Sequence, residues 1–161
     1  MAHISRLTGE VRSLLQSRRV AALGTIGADG AALVSMVPFA IEPRNPCVVI
    51  HVSELAAHTR NLQTTPRVSL LVMQAEVPGE PVHALPRVTF EGIARVPERE
   101  GPLWQACRAA YLERFPEAEP MTQLGDFKFV AIEATGARQV AGFGSARSID
   151  PEEVRVALGL Q

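Results

Sequence analysis

The residues best suited to chemistry lie together in HTRNLQTT (58–65), a few positions after Ser53. His58, Thr59, Arg60 and Asn61 bring an imidazole, a hydroxyl, a guanidinium and an amide into four consecutive positions. A helix start leaves backbone N–H groups unpaired and carries the positive end of the helix dipole, so donors and a cation gathered there make a cradle for an anion such as a phosphate. Ser53 is placed to cap a short helix over ELAAHTRNLQ (54–63), and Pro66 forces Thr65 out of the α region and stops it. The same residues also read as a plain capped helix with a solvated polar face, and at this level both readings stand.

Other candidate chemistry falls away on spacing. His51 on a strand and His83 in a proline-rich loop belong to no H-x-x-x-H pattern, so no metal is assigned. Ser69 and Cys47 have no histidine and acid in a nucleophile pattern. Cys47 and Cys107 form no C-x-x-C unit, which argues against a disulfide scaffold or a thiolate zinc site. Gly24, Gly27 and Gly30 are spaced like a dinucleotide loop but lead into a second strand, not a helix. Ser35 is either a half-buried strand hydroxyl or a ligand contact.

These groups must be positioned by the elements around them. Ile4, Leu7, Val11, Leu14 and Leu15 share one face of an amphipathic helix. RVAALGTI (19–26) and AALVSMVPFAI (31–41) are predicted strands joined by Gly27-Ala28-Asp29-Gly30, whose Asp-Gly pair suits a hairpin turn. Two prolines in the 42–46 segment turn the chain before CVVIHV (47–52), giving three consecutive antiparallel strands. RVSLLVM (67–73) is almost continuously apolar, the pattern of a central strand buried on both faces. After a proline-rich excursion over 74–86, RVTFEGIARV (87–96) resumes the strand pattern.

Leu103, Cys107, Ala110, Tyr111 and Leu112 then mark a second amphipathic helix within 97–115. FKFVAIEA (127–134) is a strand, and the glycine-rich 134–147 segment suits a close backbone approach. Asp150-Pro151-Glu152-Glu153 opens a last helix with a cap, an N1 proline and acidic first-turn residues.

The chain has 161 residues, 47% of them hydrophobic, which is enough for one core and one domain. A net charge of −1 gives no basic face for nucleic acid. No uncharged run approaches the roughly 20 residues that cross a bilayer, so a soluble, cytoplasmic protein is expected. Six short strands linked mainly by hairpins, with single helices between them, predict an α+β, mainly β fold: a six-stranded antiparallel barrel with flanking helices.

That order of elements resembles the FMN-binding split barrel of the pyridoxamine 5′-phosphate oxidase-like proteins. The resemblance is carried by LGTIGADGAALVSMVPFAI, VVIHVSELAAHTRNLQTTPRVSLLV, PRVTFEGIARV and FKFVAIEATGARQVAGFGSAR, covering nearly the whole chain. HTRNL and the Gly142-Phe143-Gly144-Ser145-Ala146 loop are most similar to the haem-utilisation branch.

The resemblance implies a homodimer with two FMN sites at the subunit interface. Ser35, Met36 and Val37 would run along the flavin, and Ile50, His51 and Ser53 would meet its ribityl-phosphate side. Ala57, His58 and Thr59 match the phosphate-binding turn, joined by Asn61, although Ala57-His58 stands where oxidase-type enzymes carry an Arg-Lys pair. Arg87 matches a polar position that the second subunit points at the isoalloxazine.

The activity implied first is an FMN-dependent oxidoreductase acting on a small molecule. Alternatives are a haem-binding or haem-utilisation protein, a non-catalytic flavin-binding module, or a deazaflavin user. The sole tryptophan is Trp104, so the tail lacks the tryptophan of authentic vitamin-six oxidases; no histidine follows His83, which points away from haem degradation.

Overall fold

The computed structural model describes residues 4–160. Helix α1 (Arg6–Ser17) leads into a hairpin of β1 (Val20–Ile26) and β2 (Ala32–Pro38). The turn forms as its sequence predicts: Gly30 has φ of 80°, and Asp29 accepts from the Ala31 N–H at 3.0 Å. The AALVSMVPFAI run does not continue as one strand. It breaks at Phe39, and β3 (Ala40–Glu42) pairs instead with β4 (Cys47–Ser53). Short helix α2 (Ala57–Thr64), β5 (Arg67–Met73) and β6 (Arg87–Arg95) follow. Helix α3 (Pro102–Arg114), the single turn α4 (Glu119–Thr122), β7 (Phe127–Val140), β8 (Ala146–Ile149) and α5 (Pro151–Leu158) complete the chain.

The strands form one antiparallel sheet in the order β2-β1-β5-β6-β7-β4-β3, with β8 paired to β7. Its two edges, β2 and β3, are consecutive in the chain and separated only by Phe39. A single residue spans only about 4 Å, so the sheet must curl until its edges meet. Phe39 still donates its N–H to the Arg19 carbonyl at 3.1 Å and is fully buried, so it anchors the corner in the core. Among the described residues no ladder joins β2 to β3 or β4, which makes this a split barrel. The expected run of three consecutive antiparallel strands is therefore corrected: β2 and β4 are not ladder partners. The strand count is eight, because Phe39 divides one predicted strand and β8 adds another.

The barrel interior is filled by Leu23, Ile50, Leu70, Phe90 and Ile132, and α1 and α5 pack onto the same cluster through Val11, Leu15, Val154 and Leu158. A second cluster lies between α3 and the outer faces of β4 and β7, built from Cys107, Tyr111 and Phe115 against Val49, Phe129 and Ala131. Two-sided burial therefore belongs to β4, not to RVSLLVM as its sequence suggested. β5 alternates between buried and more exposed positions because no helix covers its outer face. Cys47 and Cys107 are free and buried, and the neighbouring Cys107 thiol together with burial pushes the Cys47 thiol up.

The glycine-rich segment after 134 continues β7 as a strand, and the closest backbone approach lies across from it. A Cβ on Gly92, at the bulge between β6 and β7, would sit 2.7 Å from the Glu133 carbonyl oxygen.

The C-terminal helix starts as predicted, with the Asp150 carboxylate accepting from the Glu153 N–H at 2.8 Å. Glu153 then takes two hydrogen bonds from Arg147, at 2.6 and 2.9 Å, and one from the Thr8 hydroxyl at 2.6 Å. The Arg147 guanidinium holds the Glu153 carboxyl below its ordinary range, so this contribution to stability is present at neutral pH and is lost as pH falls through the lowered value. Thermal melts of wild type and Glu153→Gln should therefore converge on acidification, with wild type more stable only on the neutral side. A stability gap independent of pH would contradict this.

Candidate functional site

Alternation along β2 sends Leu33, Ser35 and Val37 inward and Val34 and Met36 outward, since Ser35 lies opposite the core residue Leu23 and Met36 opposite Ala22. β2 is an edge strand, so Ser35 is only half-buried, and α2 packs beside it against β1 and β2. There the Ser35 hydroxyl lies 2.9 Å from His58 Nδ1, joining residues 23 apart in sequence. Burial pushes the His58 imidazole below its ordinary pKa, favouring the neutral ring. In the Nδ1–H tautomer the ring donates to Ser35 Oγ and keeps a free lone pair on Nε2.

The other polar side chains of the 53–61 cluster also find partners within the protein. Thr59 is fully buried and donates its hydroxyl to the Ser53 carbonyl at 2.6 Å. Asn61 donates to the Thr25 hydroxyl at 3.1 Å, and Arg60 to the Leu55 carbonyl at 2.9 Å. Ser53 does not cap α2. The helix begins at Ala57 with Ala56 as its cap residue, while Ser53 Oγ accepts from the Leu55 N–H at 3.2 Å. The intervening Glu54-Leu55-Ala56 turn shifts the helix start from its predicted place. Ala57 is exposed at the first helical position.

Three predicted residues lie apart from this cluster. Ile50 points into the barrel core. His51 points the opposite way, towards α3, with its ring centroid 4.5 Å from Phe129, 5.2 Å from Phe127 and 5.6 Å from Tyr111. Burial there lowers its pKa to about 4, and its Nδ1 has no partner among the described residues. Arg87 is paired with Met73 in the β5–β6 register and donates to the Leu85 carbonyl at 2.9 Å. Val37 is likewise a core residue, whereas Met36 is exposed.

The outward side of β2, β1 and β5 is apolar and uncovered. Val34 is 68% exposed, Met36 66% and Met73 49%, with Val20 beside them and only Ala22 and Gly24 between. A cavity of about 480 Å³ opens on this face, lined by Ser35, Met36, Leu71, Met73 and Arg18. The buried Nε of Arg18 has no partner among the described residues. Sequence reasoning missed Arg18 and Thr25. Thr25 was signalled by its parity with Ala21 and Leu23, and Arg18 only by standing between a helix and a strand. Among the described residues, no group of three or more His, Cys, Asp or Glu is gathered to hold a metal ion, and no helix is long and apolar enough to cross a membrane.

Residues 7–141 match the family described as pyridoxamine 5′-phosphate oxidase. The chain belongs to the pyridoxamine 5′-phosphate oxidase family. Within the family it is similar to the heme oxygenase HutZ of Vibrio cholerae, with 32% identity over 150 residues, 92% of this chain and 84% of that protein. It is 34% identical over 140 residues to the non-canonical heme oxygenase HOZ of Arabidopsis thaliana, covering 85% of this chain and 41% of that one. The structure of a heme binding protein from Mycobacterium smegmatis superposes with a TM-score of 0.84 at 29% identity, covering 94% of this chain and 61% of that chain. This family member thus spans less than two thirds of the Arabidopsis and mycobacterial proteins. The expectation that placed an FMN oxidoreductase first and haem second is reversed in weight, since these relatives are named for haem.

Proposed function

We propose that this chain is a haem-binding protein whose site is the outward face of β1, β2 and β5. The observation that carries the reading is the 32% identity, across 92% of the chain, to a protein named as a heme oxygenase. The chemistry of the face supports it, because haem needs a flat apolar surface and cations for its propionates. Val34, Met36 and Met73 supply the surface, and Arg18 on the cavity wall supplies a cation for an anionic group. His58 does not line this cavity but reaches its edge through Ser35, which does; it is half-buried, its lowered pKa favours the neutral form, and with Nδ1 in contact with Ser35 it is the imidazole that would hold the haem iron. Bound haem would supply redox and oxygen chemistry. The protein's part is to orient it, shield one face from water and hold the His58 tautomer.

Two copies of the chain are part of the proposal. An exposed apolar face this continuous is characteristic of an interaction surface, and a twofold pairing would cover it and enclose the cavity. FMN is the second reading, favoured by the Ser35–His58 contact at the position where the family resemblance implies flavin contacts.

Haem titration of the purified protein tests the main reading. We expect a saturable Soret band at one haem per chain, and His58→Ala should weaken binding at least tenfold and shift the band, with Ser35→Ala costing up to about tenfold. Flavin absorbance in the protein as isolated, with no Soret response to haem, would replace haem with FMN.

A further inference from the structure

We infer that the cleft between α1, α3, α5 and β3 is a second binding site, for an amphiphilic carboxylate. Its cavity of about 510 Å³ shares no lining residue with the cavity on the outward face. Two guanidiniums form part of its wall. Arg12, only 7% exposed, reaches from α1 to the end of α5 and donates to the carbonyls of Val156, Ala157 (3.2 Å) and Gly159 (3.3 Å). Its Nη1 is buried without a partner among the described residues. Arg114 reaches from α3 to the carbonyls of Leu15 and Gln16 at the end of α1 and of Phe39, at 2.7, 2.8 and 3.1 Å. Among the described residues no carboxylate pairs with either guanidinium.

The electrostatics call for an anion. Carbonyl dipoles solvate both cations in part and Arg114 is only half-buried, yet Arg12 is buried, arginine cannot shed its charge, and a buried charge without a counter-ion is costly. The acidic residue on the wall, Glu113, is itself exposed to solvent. The remaining walls decide which anion. Leu15, Ile41, Ala110 and Leu158 present hydrocarbon, which a bare inorganic ion cannot use. A planar carboxylate matches the guanidinium fork, and an attached alkyl chain would fill the apolar part of the cleft. The volume lies within the range of small-molecule pockets, about 300–1,000 Å³.

Decanoate is the probe, titrated calorimetrically into the whole 161-residue chain without haem, which keeps this result separate from the haem reading. We expect saturable binding at one equivalent, at least tenfold weaker binding of decanol, and no competition by inorganic phosphate. Arg114→Gln should weaken decanoate binding at least tenfold. Ala110→Phe, which fills the cleft and leaves both arginines in place, should abolish it while haem titration remains as in wild type. Absence of decanoate binding, equal affinity for decanol, displacement by phosphate, or undiminished binding to Ala110→Phe would each overturn the proposal.

Discussion

Met36→Glu should leave the chain folded and take away both the proposed pairing and the proposed haem binding. Met36 projects from β2 with 66% of its surface exposed, so the new carboxylate is solvated in the free chain and costs the fold little. In a twofold pair the same carboxylate is carried by both copies into an apolar contact. An uncompensated buried charge costs about 3–5 kcal/mol, which weakens association more than 100-fold. Light scattering should report monomer against the dimer proposed for wild type, haem titration should give at most a tenth of the wild-type affinity, and circular dichroism should be unchanged. A variant that remains dimeric and binds haem normally would remove this face from the proposed site.

Gly92→Ala should act on the fold itself. The added Cβ would meet the Glu133 carbonyl oxygen at 2.7 Å and the Ile132 Cγ2 at 2.8 Å; the oxygen belongs to backbone held in the β6–β7 ladder. Relief requires a backbone shift at the bulge, and overpacking of this kind costs about 2 kcal/mol. For a chain of this size that lowers Tm by roughly 4–8 °C. Gly9→Ala is the control. Nothing lies within 4 Å of its Cβ position, and at the fourth residue of α1 alanine should stabilise by about 0.5–1 kcal/mol. Equal melting temperatures for the two variants would show that the close approach at Gly92 carries no strain.

How far sequence alone could reach follows from the range of each signal. The Gly27–Gly30 hairpin, the stop before Pro66 and the Asp150-Pro151 helix start were all legible, because turn and cap chemistry is written within a few residues. The break at Phe39 was not. The apolar pattern runs through it without interruption, and what ends β2 is the formation of a different ladder between Ala40–Glu42 and Cys47–Ser53. β5 was misread for a related reason: its apolar outer face, with Leu71 and Met73, is part of the surface proposed to meet a second copy, and periodicity cannot tell that from a covering helix.

At the site, the chemistry of 58–61 was evident from residue types, yet its partners were not. Thr59 and Asn61 turn to Ser53 and Thr25, and His58 to Ser35 across the edge of the sheet. His51 and Ile50 are neighbours in sequence to the cluster, but the two-residue period of β4 sends one under α3 and the other into the barrel.

The seam at Phe39 bears on how such a scaffold changes cargo. Every other wall of the barrel is zipped by a ladder, so widening it there means rupturing backbone pairs, whereas β2 and β4 lie side by side with no ladder between them. The seam is thus the compliant part of an otherwise stiff shell. For the binding proposed beside β2, the expected adjustment to a thicker or thinner guest is along this one slit, with the hydrogen-bonded cage keeping its shape.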